Sequence, residues 1–423
     1  MRHFFILGTN PVLSTAEIIA LLDSRHFTVT ETYKQALIVD ELSGHTLDTK
    51  ALMSRLGGTV KIGTVIAEDV PVHPQPLEEI MLKQLNGRII NEKNATFGFS
   101  VYSLESDKPA DHAVKIADRF RNVGMRIKRQ MKDAGCSTRW VKVQTGAALT
   151  SVAVGKNQMI DYGAEFVLLT KGDTMLVGKT AVVQPFEEFS MVDYGRPERD
   201  MQQGMLPPKL ARMLINLLQV SRELTEVTLL DPFCGSGTVL TEALQMGFPN
   251  LYGTDKNAAA VAGTEKNIAW VKEKGMIKVD TGNVKLIASD ARDLGKHIAP
   301  GTLDGVACEL YLGPVRTGTE TRGALQKRLD ELTKLYYECL SAWKPLLKPG
   351  APVVFAMPVY ILGIEKHGIN AKEFEKLGFR SESLLPAPVL NRLGTPETKN
   401  HGLLYGRNDQ RVWREIIRFR CSE

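Results

Sequence analysis

Short β-branched runs broken by Gly, Pro and Asn alternate along this chain with longer stretches whose apolar residues recur every three or four positions. Residues 3–7 are predicted as a strand. Ser14-Thr15-Ala16-Glu17 reads as a capping box with Leu13 and Ile18 as its hydrophobic staple, which predicts a helix to about Leu22. Residues 27–32 and 35–39 predict paired strands, Asp48 a helix cap, and residues 60–67 a further strand. His73-Pro74-Gln75-Pro76 marks a boundary by its prolines. Beyond it a helix near residues 77–85 and a strand at 96–104 precede one long helix, about 110–134, closed by Gly135. In that helix Val114, Ala117, Phe120, Ile127 and Met131 are expected to share one buried face. Residues 140–145, 165–170 and 174–183 alternate as strands do, the last two joined by a Lys171-Gly172-Asp173 turn.

The second half has a different rhythm. Pro207 and Pro208 suit the first turn of a helix to about Leu218. Residues 227–230 read as a buried strand closed by Asp231, followed by a tight loop with Gly235 and Gly237 and an apolar helix from Thr238. Strands follow at 251–255, 284–288, 303–311 and 352–357, with a helix at 322–343 that places Leu325, Leu329, Leu332 and Leu335 on one face. This alternation predicts a doubly wound, mostly parallel sheet. A helix at 371–377 and antiparallel strands, including a hairpin of 402–406 with 412–420, complete the chain. No internal repeat or low-complexity tract interrupts it.

Composition narrows the picture. At 423 residues the chain should form two or three domains of roughly 150 residues each. Hydrophobic content of 43% and charged content of 24% are ordinary for a globular protein. No apolar run approaches the ~20 residues of a membrane span, and the opening meets Asn10, Pro11 and an acid too soon for a signal peptide. The five cysteines (136, 234, 308, 339, 421) include no Cys-x-x-Cys, which speaks against a zinc site or a disulfide frame and suits a reducing cytosol. The expectation is a cytoplasmic protein with no metal and no membrane partner. Net charge is only +5, but residues 119–142 hold Arg119, Arg121, Arg126, Lys128, Arg129, Lys132, Arg139 and Lys142 against Asp133 alone. Such a run is either a solvated helix face or a phosphate-binding surface.

The chemistry concentrates around residues 227–243. A Gly-rich strand-to-helix turn lets backbone approach a ligand and points N–H groups at its anionic part. The dinucleotide fingerprint would need a third glycine where Leu240 stands, and no Gly-Lys-Ser/Thr occurs in this context for a P-loop. The remaining string, Asp-Pro-Phe-Cys-Gly-Ser-Gly-Thr, closely resembles motif I of the S-adenosylmethionine-dependent amino-methyltransferases of DNA and RNA. The resemblance implies a loop cradling the methionine end of the cofactor, with Asp231, Phe233, Gly235, Gly237 and Thr238 in the site. Asp255, at the carboxyl end of the second strand, can accept hydrogen bonds from both ribose hydroxyls. Asp290 is placed to accept the adenine amine and Ala291 to offer a backbone N–H. The phrases Tyr194 to Asp200 and Gly204 to Ala211 resemble the segment that covers the cofactor in the same family, which adds Met205.

The fourth strand falls where that family carries Asp/Asn-Pro-Pro-Tyr/Phe. An aryl amine is a poor nucleophile because its lone pair is delocalised, and acceptors for its N–H groups localise the pair while the aromatic residue stacks on the extruded base. Here the motif departs. Direct alignment puts Cys308 at the acid and Tyr311 at the aromatic position; a shift of one residue makes Glu309 the acceptor. Glu309 is expected to be the acceptor and proton sink, and Tyr311 the stacking platform.

The phrases FFILGTNPVLSTAE and LGGTVKIG resemble the N-terminal module of the THUMP-domain tRNA guanine-N2 methyltransferases. The basic helix, CSTRWVKVQTG and the 165–183 hairpin resemble a THUMP domain, an RNA-binding module. The implied architecture is α/β: an α+β module (1–70), a THUMP-like domain (71–185) and a Rossmann-like methyltransferase domain (186–423) with a covering segment (191–220). The implied activity is methylation of N2 of a guanosine in tRNA, as in the group that modifies position 10. Its partners would be tRNA and, as for some relatives, a small activating subunit. A DNA or ribosomal RNA amino-methyltransferase, and a catalytically silent tRNA-binding homologue, remain as alternatives.

Overall fold

The computed structural model describes residues 1–42, 44–86, 94–105, 108–199, 205–220 and 222–422. Residues 200–204 of the expected covering segment lie outside the described residues. The chain divides into two compact units, Met1–Pro11 with Leu22–Ser54 and Gly58–Phe186, and Val12–Leu21 with Arg55–Gly57 and Glu187–Glu423.

To residue 186 the elements are β1 (Arg2–Leu7), α1 (Pro11–Leu21), β2 (Phe27–Thr32), β3 (Ala36–Glu41), α2 (Thr49–Arg55), β4 (Thr59–Pro71), α3 (Pro74–Asn86), β5 (Asn94–Ser103), α4 (Pro109–Arg119), α5 (Val123–Asp133), β6 (Ser137–Trp140), α6 (Ser151–Lys156), β7 (Gly163–Lys171) and β8 (Thr174–Val183). The strands form one sheet in the order β2-β3-β1-β4-β8-β7-β5-β6. The boundary expected at residue 70 falls in β4, which pairs with β1 on one side and β8 on the other.

Three local expectations are corrected here. Helix α1 begins at Pro11, so Ser14 and Thr15 are buried within it rather than capping it. The long helix is two helices, interrupted at Phe120–Asn122. The interruption turns Ala113 and Ile116 inward with the fully buried Phe120, and leaves Val114 45% exposed. The strand expected at 140–145 is β6, which starts directly after the Gly135 cap and pairs in parallel with β5. Helix α5 packs so closely on β6 that a Cβ at Gly124 would lie 2.2 Å from the Trp140 ring. Helix α6, capped by Thr150, carried no clear period in the sequence. Asp48 does cap α2, accepting from the N–H groups of Lys50 and Ala51.

A buried ion pair ties this unit together. Lys61 and Glu165 are both fully enclosed; Lys61 Nζ donates to Glu165 and to the Leu149 carbonyl at 2.7 Å. Ser100 and Thr180 hydroxyls also donate to Glu165, at 2.5 and 2.7 Å. Saturating the carboxylate in this way offsets the cost of burying it.

The second unit continues with α7 (Phe186–Gly195), α8 (Pro208–Leu217), β9 (Thr228–Asp231), α9 (Thr238–Met246), β10 (Asn250–Asp255), α10 (Ala258–Glu273), β11 (Val284–Ala288), β12 (Gly305–Glu309), α11 (Arg322–Trp343), β13 (Pro352–Leu362), β14 (Glu365–Gly368), α12 (Lys372–Glu375), β15 (Phe379–Glu382), α13 (Ala387–Leu393), β16 (Leu403–Tyr405) and β17 (Val412–Cys421). The sheet order is β11-β10-β9-β12-β13-β17-β15, parallel from β11 to β13 with β17 antiparallel between β13 and β15. Period-two alternation sends Ala307, Val354 and Ala356 to the face covered by α8 and α9, and Val306, Cys308 and Phe355 to the face covered by α11. Helix α7, strand β14 and helix α13 lie where no element was expected, and the fourth strand ends at Glu309, not Tyr311.

The path along the sheet reverses between β9 and β12: β10 and β11 extend to one side, β13 and β17 to the other. In such sheets ligands bind outside the carboxyl ends of the strands at the reversal. Among the described residues no helix is long and apolar enough to cross a membrane, and no group of three or more His, Cys, Asp or Glu could hold a metal ion.

Candidate active site

Strand β9 delivers Asp231 to the reversal point, 2% exposed, accepting from the Phe233 N–H at 3.2 Å. Burial pushes its carboxyl up to about 8, and the nearby charges of Asp255 and Glu309 push the same way. A carboxyl raised above its unfolded value favours the folded chain while protonated, and that contribution is lost as pH rises from about 4 to about 8. Asp231→Asn is therefore expected to gain stability relative to the parent over that window, by up to about 1.4 kcal/mol per pH unit. Urea unfolding of both proteins at pH 5 and pH 8 checks this; a pH-independent difference would contradict it.

The loop that follows is held by its own backbone and by α10. Cys234 N–H donates to Thr254 O at 2.8 Å and Gly237 N–H to Cys234 O at 2.7 Å. The Thr264 hydroxyl donates to Gly235 O at 2.8 Å, and the Asn267 amide to Ser236 O at 2.8 Å. Gly235 and Gly237 have φ of +50° and +80°, the left-handed region that suits glycine. A Cβ at Gly237 would strike Thr264 at 2.6 Å, whereas one at Gly235 would meet nothing within 4 Å. The N–H groups of Ser236 and Thr238 donate to no acceptor among the described residues. The loop is thus rigid on its inner side, open on its outer side and equipped with donors.

Asp255, at the end of β10, accepts from Gly235 N–H at 3.1 Å and Asn257 N–H at 2.8 Å. It links the loop to the start of α10. The covering segment is tied in by Arg196, buried, which donates to the Thr238 hydroxyl at 2.7 Å and to Met205 Sδ at 3.6 Å. Asn267 joins this segment to the loop, exchanging hydrogen bonds with the Glu198 backbone at 3.0 and 2.9 Å. Phe233 packs edge-on against Trp343, whose indole N–H donates to Ala291 O at 2.7 Å and so fixes the turn after β11. Asp290 is engaged differently from the expectation. Both its oxygens accept from Arg292 at 2.9 Å, which holds its carboxyl down at about 2.

At the end of β12 the two candidate acceptors part. Cys308 is fully buried among the side chains facing α11, and burial pushes its thiol well up. Glu309 instead lies at the strand end with a 17% exposed side chain, its Oε1 accepting from Arg414 Nε of β17. Burial pushes the Glu309 carboxyl up and Arg414 opposes the shift. Tyr311 is 42% exposed with Lys256 Nζ 5.9 Å from its ring centre. Its carbonyl accepts from the buried Tyr336 hydroxyl at 2.5 Å, and that of Leu312 from Tyr360 at 2.8 Å. Arg414, Tyr336 and Tyr360 carried no sequence signal for these roles, because each meets a partner remote in the chain, whereas Arg196 stands inside the phrase expected to cover the cofactor.

In the first unit Arg119, Arg121, Lys128, Arg129, Lys132 and Arg139 are exposed on α4, α5, β6 and the turn between the helices. Arg126 is not: it is half-buried and its Nε donates to Glu78 at 2.6 Å.

Residues 196–296 match the family described as "UPF0020: RMKL-like, methyltransferase domain". The chain is 31% identical over 158 residues to a tRNA (guanine(10)-N2)-dimethyltransferase of Methanothermobacter thermautotrophicus, covering 37% of this chain and 40% of that one. It is 33% identical over 127 residues to the protein of the same name from Pyrococcus abyssi, covering 30% and 34%. The match thus spans about two fifths or less of the length of these relatives. TrmN from Thermus thermophilus superimposes with a TM-score of 0.51 over the full length of both chains at 15% identity, which shows a shared α/β fold.

Proposed function

We propose that this chain, similar to the tRNA guanine-N2 methyltransferases and carrying a methyltransferase domain at residues 196–296, methylates the exocyclic N2 of a guanosine in tRNA using S-adenosylmethionine. The observation that carries the reading is the 231–238 loop at the strand reversal, with N–H donors and an open outer face beside Asp255. Its residues fit the cofactor. The loop donors suit a carboxylate and Asp255 suits ribose hydroxyls, while the Ala291 turn, braced by Trp343, suits the adenine end. Bound there, S-adenosylmethionine supplies an activated methyl group on a sulfonium. Glu309 accepts the target amine and Tyr311 stacks on the extruded base.

The α4–β6 surface supports a THUMP-like tRNA-binding role for the first unit, which suits a cytoplasmic enzyme. Because Arg126 is engaged with Glu78, the informative variant is Arg129→Glu with Lys132→Glu. It is expected to weaken tRNA binding and to lower the salt slope by about two. Filter binding at several salt concentrations measures this; an unchanged slope would assign these charges to solvation.

Incubation with methyl-labelled cofactor and separate pools of tRNA, ribosomal RNA and DNA tests the function. Label in tRNA, recovered as N2-methylguanosine, is expected. Label in another pool, or in none with or without added cell extract as a source of an activating subunit, would overturn the reading.

A further inference from the structure

The geometry points to Glu309 and Arg414 as the base-selecting pair of this site: Arg414 fixes Glu309 as an anionic, acceptor-only edge that admits a base presenting two neighbouring N–H groups. The inference rests on the methyltransferase reading above and adds to it the element that chooses the base.

Arg414 stands on β17, two strands away from β12, and is 7% exposed. Its Nε donates to Glu309 Oε1, while Oε2 accepts from no group among the described residues. One oxygen is therefore fixed and the other is available at the strand end. Several other groups act on Glu309 or are acted on by it. Asp231 ends the adjacent strand β9, Cys308 precedes Glu309, and Tyr336 reaches in from α11. Asp231 opposes a negative charge only when it is itself ionised, and Cys308 and Tyr336 carry none when protonated; Arg414 is the cation paired with Glu309 and opposes the upward push of burial on its carboxyl.

A carboxylate has lone pairs and no donor. Guanine presents N1–H beside its N2 amine, so both oxygens find a proton. Adenine places the lone pair of N1 beside its N6 amine, and cytosine that of N3 beside its N4 amine. Either would set a lone pair against a carboxylate oxygen, an unpaired contact that discriminates against it. Glu309 held as an anion therefore fits the guanine edge and disfavours the other two.

Two measurements separate the possibilities. First, isotope-edited infrared titration of glutamate carboxyls, with the Glu309 band assigned by its loss in Glu309→Gln, follows ionisation without any need for turnover. Arg414→Gln is expected to move the midpoint upward in pH, and Arg414→Lys to restore part of the shift; an unchanged midpoint in Arg414→Gln overturns the positioning role. Second, a tRNA transcript carrying 2-aminopurine at the methylated guanosine keeps the C2 amine but replaces N1–H with a lone pair. The parent protein is expected to prefer guanine by roughly tenfold to a hundredfold in kcat/KM, and to bind the guanine transcript more tightly than the 2-aminopurine one in the presence of S-adenosylhomocysteine; Glu309→Gln is expected to bind the two transcripts equally, with parent-like affinity for S-adenosylhomocysteine. Equal use of the two transcripts by the parent overturns base selection and leaves the methyltransferase reading standing. Failure to methylate any tRNA removes that reading, and with it base selection, while the titration still decides what Arg414 does to Glu309.

Discussion

Asp255→Ala is expected to weaken binding of S-adenosylhomocysteine about a hundredfold while leaving tRNA binding intact. In the folded chain this carboxylate accepts the N–H groups of Gly235 and Asn257, and so couples the Gly-rich loop to α10. Hydrogen bonds to a charged acceptor are worth about 1.5–3 kcal/mol each. Loss of this acceptor loosens the loop and removes the partner proposed for the ribose hydroxyls. Calorimetry with the demethylated product measures the effect without turnover, and filter binding measures the RNA. Parent-like affinity for the product would remove Asp255 from the site.

Gly237→Val is expected to destabilise the second unit by about 2–6 kcal/mol. A φ of +80° costs a β-branched residue about 1–3 kcal/mol, and the added Cβ would sit 2.6 Å from Thr264 Cγ2, an overpacking worth about 1–3 kcal/mol more. Gly235→Ala makes the useful contrast. At φ +50° with nothing within 4 Å of the new methyl, it should cost only about 1–2 kcal/mol. That methyl projects into the open side of the loop, so product binding should fall far more than stability. Urea unfolding paired with calorimetry tests both variants. Equal losses of stability in the two, or undiminished product binding in Gly235→Ala, would contradict this account of the loop.

What could be read from the sequence was local. The 231–238 string announces its turn by two glycines within three positions. Helix α11 (Arg322–Trp343) and strand β11 (Val284–Ala288) fall where their periods placed them, because each pattern is uninterrupted. The capping box at Ser14 misled, since α1 buries Leu13 to Ile18 all round and starts a turn earlier to do so. The break at Phe120–Asn122 has no Gly or Pro to mark it; it follows from packing of Phe120 and Val123 in the core.

The candidate site was legible where one strand end supplies one residue and hidden where distant elements meet. Arg414 is 105 residues from Glu309, Tyr360 is 48 from Leu312 and Tyr336 is 25 from Tyr311. No spacing rule reaches across such separations. Arg292 beside Asp290 was close enough to notice, yet only the folded turn brings its guanidinium onto both carboxylate oxygens.

Everything proposed for this chain requires the 231–238 loop to receive a sulfonium methyl donor. Calorimetric titration of the full chain with S-adenosylmethionine and with S-adenosylhomocysteine tests that requirement directly. One saturable site for each, weakened in Asp255→Ala and preserved in Glu309→Gln, is the expected result. Absence of binding to either at about 1 mM would contradict the account.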